Sequence, residues 1–199
     1  MDESIKQKIP NAITLARLCL AVVLFGLLHI YQYSDLRLPM WYLDACCALF
    51  LIASLTDFVD GYLARKWKVE SVFGRMVDPF VDKILVLGTF AYLAGPKLGL
   101  ITEVSATVVV LLLGRELLVT ALRAKSEGGG QSFAAAMSGK VKMVLQCVAI
   151  VACFLLASHG RELSEDLFRI ARIGTRVVVW ATVVVTLWSG WLAVKRAIA

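Results

Sequence analysis

The sequence predicts an all-α integral membrane protein: six transmembrane helices around a polar cavity that faces the cytoplasm. Three observations predict it. The 199 residues are 59% hydrophobic, the mean hydropathy is +0.77, and the apolar residues fall in long runs with the charges gathered between them. A bilayer core of about 30 Å takes roughly 20 apolar residues per helix. Runs at 12–31, 40–64, 79–96, 101–124, 141–158 and 176–194 meet that need. Little sequence remains for a soluble domain, so one membrane-embedded domain over residues 1–199 is expected.

The first run follows Lys6 and Lys8, as a signal peptide would. No small-residue cleavage site closes it and further spans follow, so it reads as a retained first helix. Pro10 suits the first turn of a helix, and Asn11 or Thr14 can cap it or bond its backbone. The basic residues then set the topology. Lys6, Lys8, Arg65, Lys66, Lys68, Arg75, Arg123, Lys125, Lys140, Lys195 and Arg196 fall on one side, which the positive-inside tendency makes cytoplasmic together with both termini. Trp41, Tyr42, Trp188 and Trp191 lie near span ends, where aromatic rings anchor at headgroup level.

Two connectors stand out. Residues 126–139 contain Gly128, Gly129 and Gly130, a flexible cytoplasmic linker that either gates a site or only joins two spans. Residues 161–172 alternate charge sign around Leu163, Leu167, Phe168 and Ile170, which predicts a short helix lying on the membrane surface. Cys19, Cys46, Cys47, Cys147 and Cys153 sit in apolar stretches without metal-ligand or redox spacing and read as small buried hydrophobes. The net charge of +6 is spread between spans, with no basic tail. That excludes a nucleic-acid footprint and favours membrane lipids and anionic substrates.

The chemistry-bearing stretch is TDFVDGYLARKWKVESVFGRMVDPFVDK, residues 56–83. On a helix, Asp57, Asp60, Gly61 and Ala64 fall within an arc of roughly 100°. Gly74, Asp78 and Asp82 line one stripe if their segment is also helical. Two helices joined by a short basic turn then bring four carboxylates together at the cytoplasmic face. Such charges are costly near lipid and repel one another, so either a bound cation lies among them or they pair as interfacial charges with Arg65, Lys66, Arg75 and Lys83. Two doublets aligned with small residues favour the bound cation. Carboxylates without nearby histidine or thiolate favour Mg²⁺ or Mn²⁺, and two ions suit an in-line displacement at a diphosphate with one carboxylate as general base. Arg65 can pair with phosphate, and Gly61, Ala64 and Gly74 either admit a substrate close to the backbone or pack helices. An ion-coupled transporter would want a second acidic layer or an inverted repeat, and the sequence has neither.

Read as D-x2-D-G-x2-A-R-x8-G-x3-D-x3-D, residues 57–82 resemble the signature of the CDP-alcohol phosphotransferase family, with every defining position occupied. The resemblance implies the six-helix fold of that family, a di-metal site of Asp57, Asp60, Asp78 and Asp82, and transfer of a phosphatidyl group from a CDP-lipid, CDP-diacylglycerol, with release of CMP. It implies that Asp82 is the base activating the acceptor hydroxyl. PNAITLAR, residues 10–17, resembles the family's first-helix motif, which implies that Asn11, Thr14 and Arg17 line the nucleotide pocket, with Asn11 and Thr14 expected to join Asp60, Gly61, Ala64, Arg65 and Gly74 in binding the CDP-lipid.

LLLGRELLVTALR (111–123) and SGKVKM (138–143) resemble segments of the bacterial phosphatidylglycerophosphate synthase branch, which implies sn-glycerol 3-phosphate as acceptor. Arg115, Arg123, Lys140 and Lys142 supply the cations that a phosphorylated acceptor needs, as for inositol phosphate, and a neutral acceptor does not. Positive span ends also arise from topology alone, and Lys140 and Lys142 cannot share one helical face. Glu116 either orients or neutralises Arg115. Met143 departs from the branch's GKxKT pattern, which expects threonine there. A bacterial inner-membrane location and a homodimer are also implied, although the small residues can equally pack helices within one protomer.

Overall fold

The computed structural model describes the backbone of residues 3–36, 38–67, 72–128 and 137–198 and the side chains of residues 12–36, 38–56, 80–81, 83–125 and 141–196. The described backbone is helical with short connections and contains no strand. Six long helices are present: α1 (Glu3–Tyr33), α2 (Trp41–Trp67), α3 (Val72–Leu93), α5 (Ala106–Gly128), α6 (Met137–His159) and α7 (Glu165–Ile198). A short α4 (Leu98–Thr102) and a 3-10 turn (Gly160–Glu162) complete the described elements. Each expected apolar run lies on one of the six long helices, apart from residues 94–105 discussed below.

The helices form because a chain in lipid must satisfy every backbone N–H and C=O internally. Their hydroxyls are absorbed the same way. Thr89 donates to Leu85 O at 2.7 Å, Thr120 to Glu116 O at 2.7 Å and Thr182 to Val178 O at 2.8 Å. Ala12–Tyr33, Val141–Glu162 and Glu165–Arg196 are long and apolar enough to cross a membrane among the described residues. In α5, the 23 residues suffice in length, but Arg115 and Glu116 interrupt the apolar run at its middle.

The chain divides into two compact units, Met1–Tyr92 and Leu93–Ala199. In the first, Ala21, Leu24 and Leu28 of α1 and Leu43, Cys46, Phe50 and Ala53 of α2 are buried at helical spacing. Tyr42 Oη donates to Leu27 O at 2.9 Å, so this ring ties α2 to α1 as well as marking a span end. In α3, Val81, Leu85 and Phe90 are buried, Tyr92 stacks on Phe25 at 5.6 Å, and Gln32 donates to Tyr92 O at 2.5 Å. Gly88 permits that approach, because a Cβ there would lie 2.3 Å from Phe25 Cζ.

The opposite faces carry Val22, Val23, Ile52 and Leu55, all more than half exposed. In the second unit Val110, Leu117, Val177 and Val184 do the same. Apolar residues on the outward faces of nearly every long helix, with ion pairs inside, are what a lipid solvent produces. The protein is a membrane protein.

Three expectations are corrected. The run 101–124 does not start a span at 101. Leu98–Thr102 forms α4, and the chain turns at Glu103, whose φ of 57° is left-handed and whose N–H bonds Gly99 O. The turn is fastened by Thr102, which bonds Leu98 O at 3.0 Å and Leu93 O at 3.3 Å. The predicted surface helix within 161–172 is instead the beginning of α7, continuous for 34 residues. Arg172 and Arg176 of α7 pair with Glu103, the former at 2.7 Å, so one charge of that segment, Arg172, serves this clamp. Of the five cysteines, Cys46, Cys47 and Cys153 are buried as expected, whereas Cys147 is half-buried and Cys19 is exposed.

Candidate functional site

The signature falls on two consecutive helices. Asp57, Asp60, Gly61, Ala64 and Arg65 lie on the last turns of α2, and Gly74, Asp78 and Asp82 on the first turns of α3. The condition left open by the sequence, that the second segment be helical, is met. At three- and four-residue spacing both aspartate pairs share a helix face. Only residues 68–71 separate the helices, and they lie outside the described residues, as do the side chains of all eight positions just named. The cavity expected around them falls outside the described residues too. No cluster of three or more metal-ligating side chains occurs among the described residues. An all-carboxylate donor set on two continuous helices suits a hard divalent ion.

On α1, Thr14 and Arg17 are buried, the latter fully, three residues apart on one face. The side chain of Asn11 lies outside the described residues. A fully buried arginine in an apolar helix is exceptional and marks a polar interior.

The second unit holds a described ionic cluster within its interior. Arg115 Nη1 donates to Glu116 Oε1 at 2.8 Å, and Lys142 Nζ, from α6, donates to the same oxygen. Arg115 also reaches α7. Its Nη2 donates to Ser189 Oγ at 2.5 Å, and its Nε to Thr186 O at 3.1 Å. Ser189 Oγ in turn donates to Thr186 O at 3.1 Å. The side chains of Arg115, Glu116 and Lys142 are only 8%, 7% and 13% exposed. These are pairs withdrawn from solvent, where removing one partner leaves an uncompensated buried charge and costs far more than at the surface. The guanidinium passes close to α7 because residue 190 is glycine. A Cβ there would sit 2.8 Å from Arg115 Cγ.

Two more polar atoms are buried nearby in the chain. Gln146 Nε2, one turn along α6 from Lys142, and Thr186 Oγ1 have no hydrogen-bond partner among the described residues. Of the four cations expected to hold an acceptor phosphate, the structure brings Arg115 and Lys142 together on one carboxylate. Arg123 is exposed farther along α5, and the side chain of Lys140 lies outside the described residues. Sequence reasoning missed Thr186, Ser189 and Gly190. They lie more than 70 residues from Arg115, and a Ser-Gly pair in an apolar helix signals only close packing.

Comparison with known proteins agrees with the signature. The family profile described as CDP-alcohol phosphatidyltransferase matches residues 7–188, which spans both units. The chain belongs to the CDP-alcohol phosphatidyltransferase family. Among its relatives, a protein of Bacillus subtilis (strain 168) is 36% identical over 92% of this chain and 91% of its own length. One from Rickettsia bellii is 31% identical over 94% and 93%, and one from Arabidopsis thaliana is 30% identical over 88% and 77%. The first two are named CDP-diacylglycerol–glycerol-3-phosphate 3-phosphatidyltransferase, and the third carries that name with the number 2. Membership makes the chain a phosphatidyltransferase, and the family pattern covers the aspartates, the RE pair of α5 and the start of α6 alike.

Proposed function

We propose that this protein transfers a phosphatidyl group from CDP-diacylglycerol to sn-glycerol 3-phosphate, giving phosphatidylglycerol phosphate and CMP. The observation that carries the reading is the likeness, over more than nine-tenths of both chains, to bacterial relatives named for that reaction. The buried cations of α5 and α6 support it, since an acceptor bearing a phosphomonoester needs positive charge that a neutral alcohol does not.

In this reading the acceptor hydroxyl loses its proton to Asp82 and its oxygen bonds the lipid-side phosphorus. The bond from that phosphorus to the bridging oxygen breaks, and CMP departs with the electron pair. Asp57, Asp60, Asp78 and Asp82 would hold one or two Mg²⁺ or Mn²⁺ ions, which when bound neutralise charge on the diphosphate. Asn11, Thr14, Gly61, Ala64, Arg65 and Gly74 receive the CDP-lipid, and the small residues let it approach the helix backbone. Arg115 and Lys142, with Arg123 and Lys140 as further cations, receive the acceptor's phosphate. Charged groups react at the interface while acyl chains stay in lipid. The reading therefore places both termini and the aspartates on the cytoplasmic side of a multi-pass inner-membrane protein. A homodimer belongs to the same reading, and a detergent-corrected mass measurement tests it.

The experiment is CMP release from labelled CDP-diacylglycerol by purified protein, with glycerol 3-phosphate, inositol phosphate, serine and glycerol as alternative acceptors. Turnover is expected with glycerol 3-phosphate, abolished by chelator and restored by Mg²⁺ or Mn²⁺. Asp78→Asn is expected to be inactive at any metal concentration. Preference for inositol phosphate or serine would replace the acceptor, and wild-type turnover by Asp78→Asn would overturn the metal-site mechanism.

A further inference from the structure

We infer that Glu116 is a positioning residue, whose carboxylate holds the Arg115 guanidinium and the Lys142 ammonium side by side to receive the phosphate of the acceptor. The inference rests on the glycerol 3-phosphate reading above and assigns a task to a residue which that reading leaves idle.

Both cations converge on one oxygen of Glu116, one from its own helix and one from α6. Two buried cations this close repel strongly in a medium of low dielectric. Arginine is fixed here by Ser189 Oγ and Thr186 O as well, and a lysine ammonium on its flexible four-carbon stem is the more readily displaced of the two cations. The Glu116 carboxylate bonds both cations at once and screens their mutual repulsion, which its removal would restore. Glu116 therefore keeps the pair assembled, and the cluster retains a net charge of one positive unit for a dianionic phosphomonoester.

The buried Gln146 Nε2 and Thr186 Oγ1, without a hydrogen-bond partner among the described residues, point the same way. Gln146 follows Lys142 by one turn of α6, and Thr186 shares its turn of α7 with Ser189. Polar atoms left bare inside a membrane protein carry a standing cost that a bound polar ligand removes.

The opposing possibility is that Glu116 competes with phosphate for the same cations. The two differ in sign. Glu116→Gln and Glu116→Asp are assayed in the purified full-length protein, with glycerol 3-phosphate and CDP-diacylglycerol varied separately and inorganic phosphate as competing anion. For Glu116→Gln the KM for glycerol 3-phosphate is expected to rise about tenfold or more, the loss of one charged hydrogen bond. The inhibition constant for inorganic phosphate should rise in parallel, while the KM for CDP-diacylglycerol stays within about twofold. Glu116→Asp should recover part of the affinity.

An unchanged or lowered KM for glycerol 3-phosphate would overturn the inference, as would an equal loss against both substrates, which a merely structural role produces. If Glu116→Gln does not fold, Ser189→Ala, which removes the contact of Arg115 Nη2 together with the serine's own bond to Thr186 O, serves instead. It should show the same split between substrates, and an even loss would overturn the inference. A wild-type protein that prefers a neutral acceptor removes the acceptor reading and the inference together; a wild-type protein that uses glycerol 3-phosphate beside an indifferent Glu116→Gln removes the inference alone.

Discussion

Adding a single methyl group at position 190 tests whether the reach of Arg115 to α7 matters for acceptor binding. The Cβ of Gly190→Ala would lie 2.8 Å from Arg115 Cγ, 3.7 Å from Cδ and 3.4 Å from Nε. Carbon atoms rest at about 3.5–4.0 Å, so the arginine stem must retreat by roughly 0.7–1.2 Å. The crowded atom is the second carbon of the side chain, close to the backbone, and its movement carries the guanidinium with it. The bond from Nε to Thr186 O, already 3.1 Å, then passes beyond bonding distance, and the bond to Ser189 Oγ is strained or lost. Hydrogen bonds to a charged group contribute about 1.5–3 kcal/mol each. Losing one of them predicts a rise of about ten- to a hundredfold in the KM for glycerol 3-phosphate, at about 1.4 kcal/mol per factor of ten. The assay is CMP release in detergent micelles with the acceptor titrated at saturating CDP-diacylglycerol, beside thermal unfolding of the same preparation. Gly174→Ala is the control. It lies on the same helix, and among the described residues nothing beyond its own helix backbone comes within 4 Å of its added Cβ, so kinetics should be unchanged and stability raised by up to about 1 kcal/mol. A Gly190→Ala protein with lower stability and an unaltered acceptor KM would refute the reasoning, because Arg115 would then tie helices without ordering the phosphate site.

Two further outcomes are expected. Gly88→Ala, whose Cβ would meet Phe25 Cζ at 2.3 Å, should destabilise the packing of α3 on α1 by about 1–3 kcal/mol, read as a lower unfolding midpoint, and Phe25→Leu in the same chain should recover part of it. The clamp on Glu103 should be sensitive to acid. The hydrogen bond from Arg176 holds its carboxyl below the ordinary glutamate range; burial opposes this, and the positive charges of Arg172 and Arg176 with the hydrogen bond from Arg172 keep the net direction downward. Because the folded value is the lower one, the stabilisation is fully present above about pH 4.3 and is lost as the pH falls through the folded value. The gap in melting temperature between wild type and Glu103→Gln should therefore be open at neutral pH and close on acidification below that range.

The helices were legible because lipid imposes one requirement, about 20 apolar residues in a row, that composition meets or fails outright. Their ends were less so. The break before α5 carries no proline, glycine or asparagine at its turning residue. Glu103 adopts the left-handed conformation that ordinarily selects glycine, held there by Arg172 and Arg176 from more than 65 residues away. No local pattern announces such a turn. The start of α7 was obscured for a related reason. Glu165, Asp166, Arg169 and Arg172 look like a solvated surface helix when only neighbours in sequence are considered, whereas one of them has its partner on the far side of the turn. The spacing of the aspartates on α2 and α3 was legible from helical periodicity alone.

The cluster on α5 was half legible. Charges inside apolar runs are conspicuous, so Arg115, Glu116 and Lys142 invited a functional reading, but their grouping did not follow from the sequence. Topology offered a bland account of each cation separately, as one more positive residue near a span end. The structure removes that account for Arg115 and Lys142 by placing both on one buried carboxylate. What remains is to choose between a helix tie and a binding site, and energetics separates them. Replacing a buried ionic cluster with apolar residues of similar volume is commonly neutral or stabilising, and in lipid a tie between α5, α6 and α7 is made as well by small residues in close contact. Three charged side chains, a hydroxyl aimed at one of them and a glycine cleared for its stem are therefore poor economy as scaffolding. They suit a site that must accept a charged group from water and release it again.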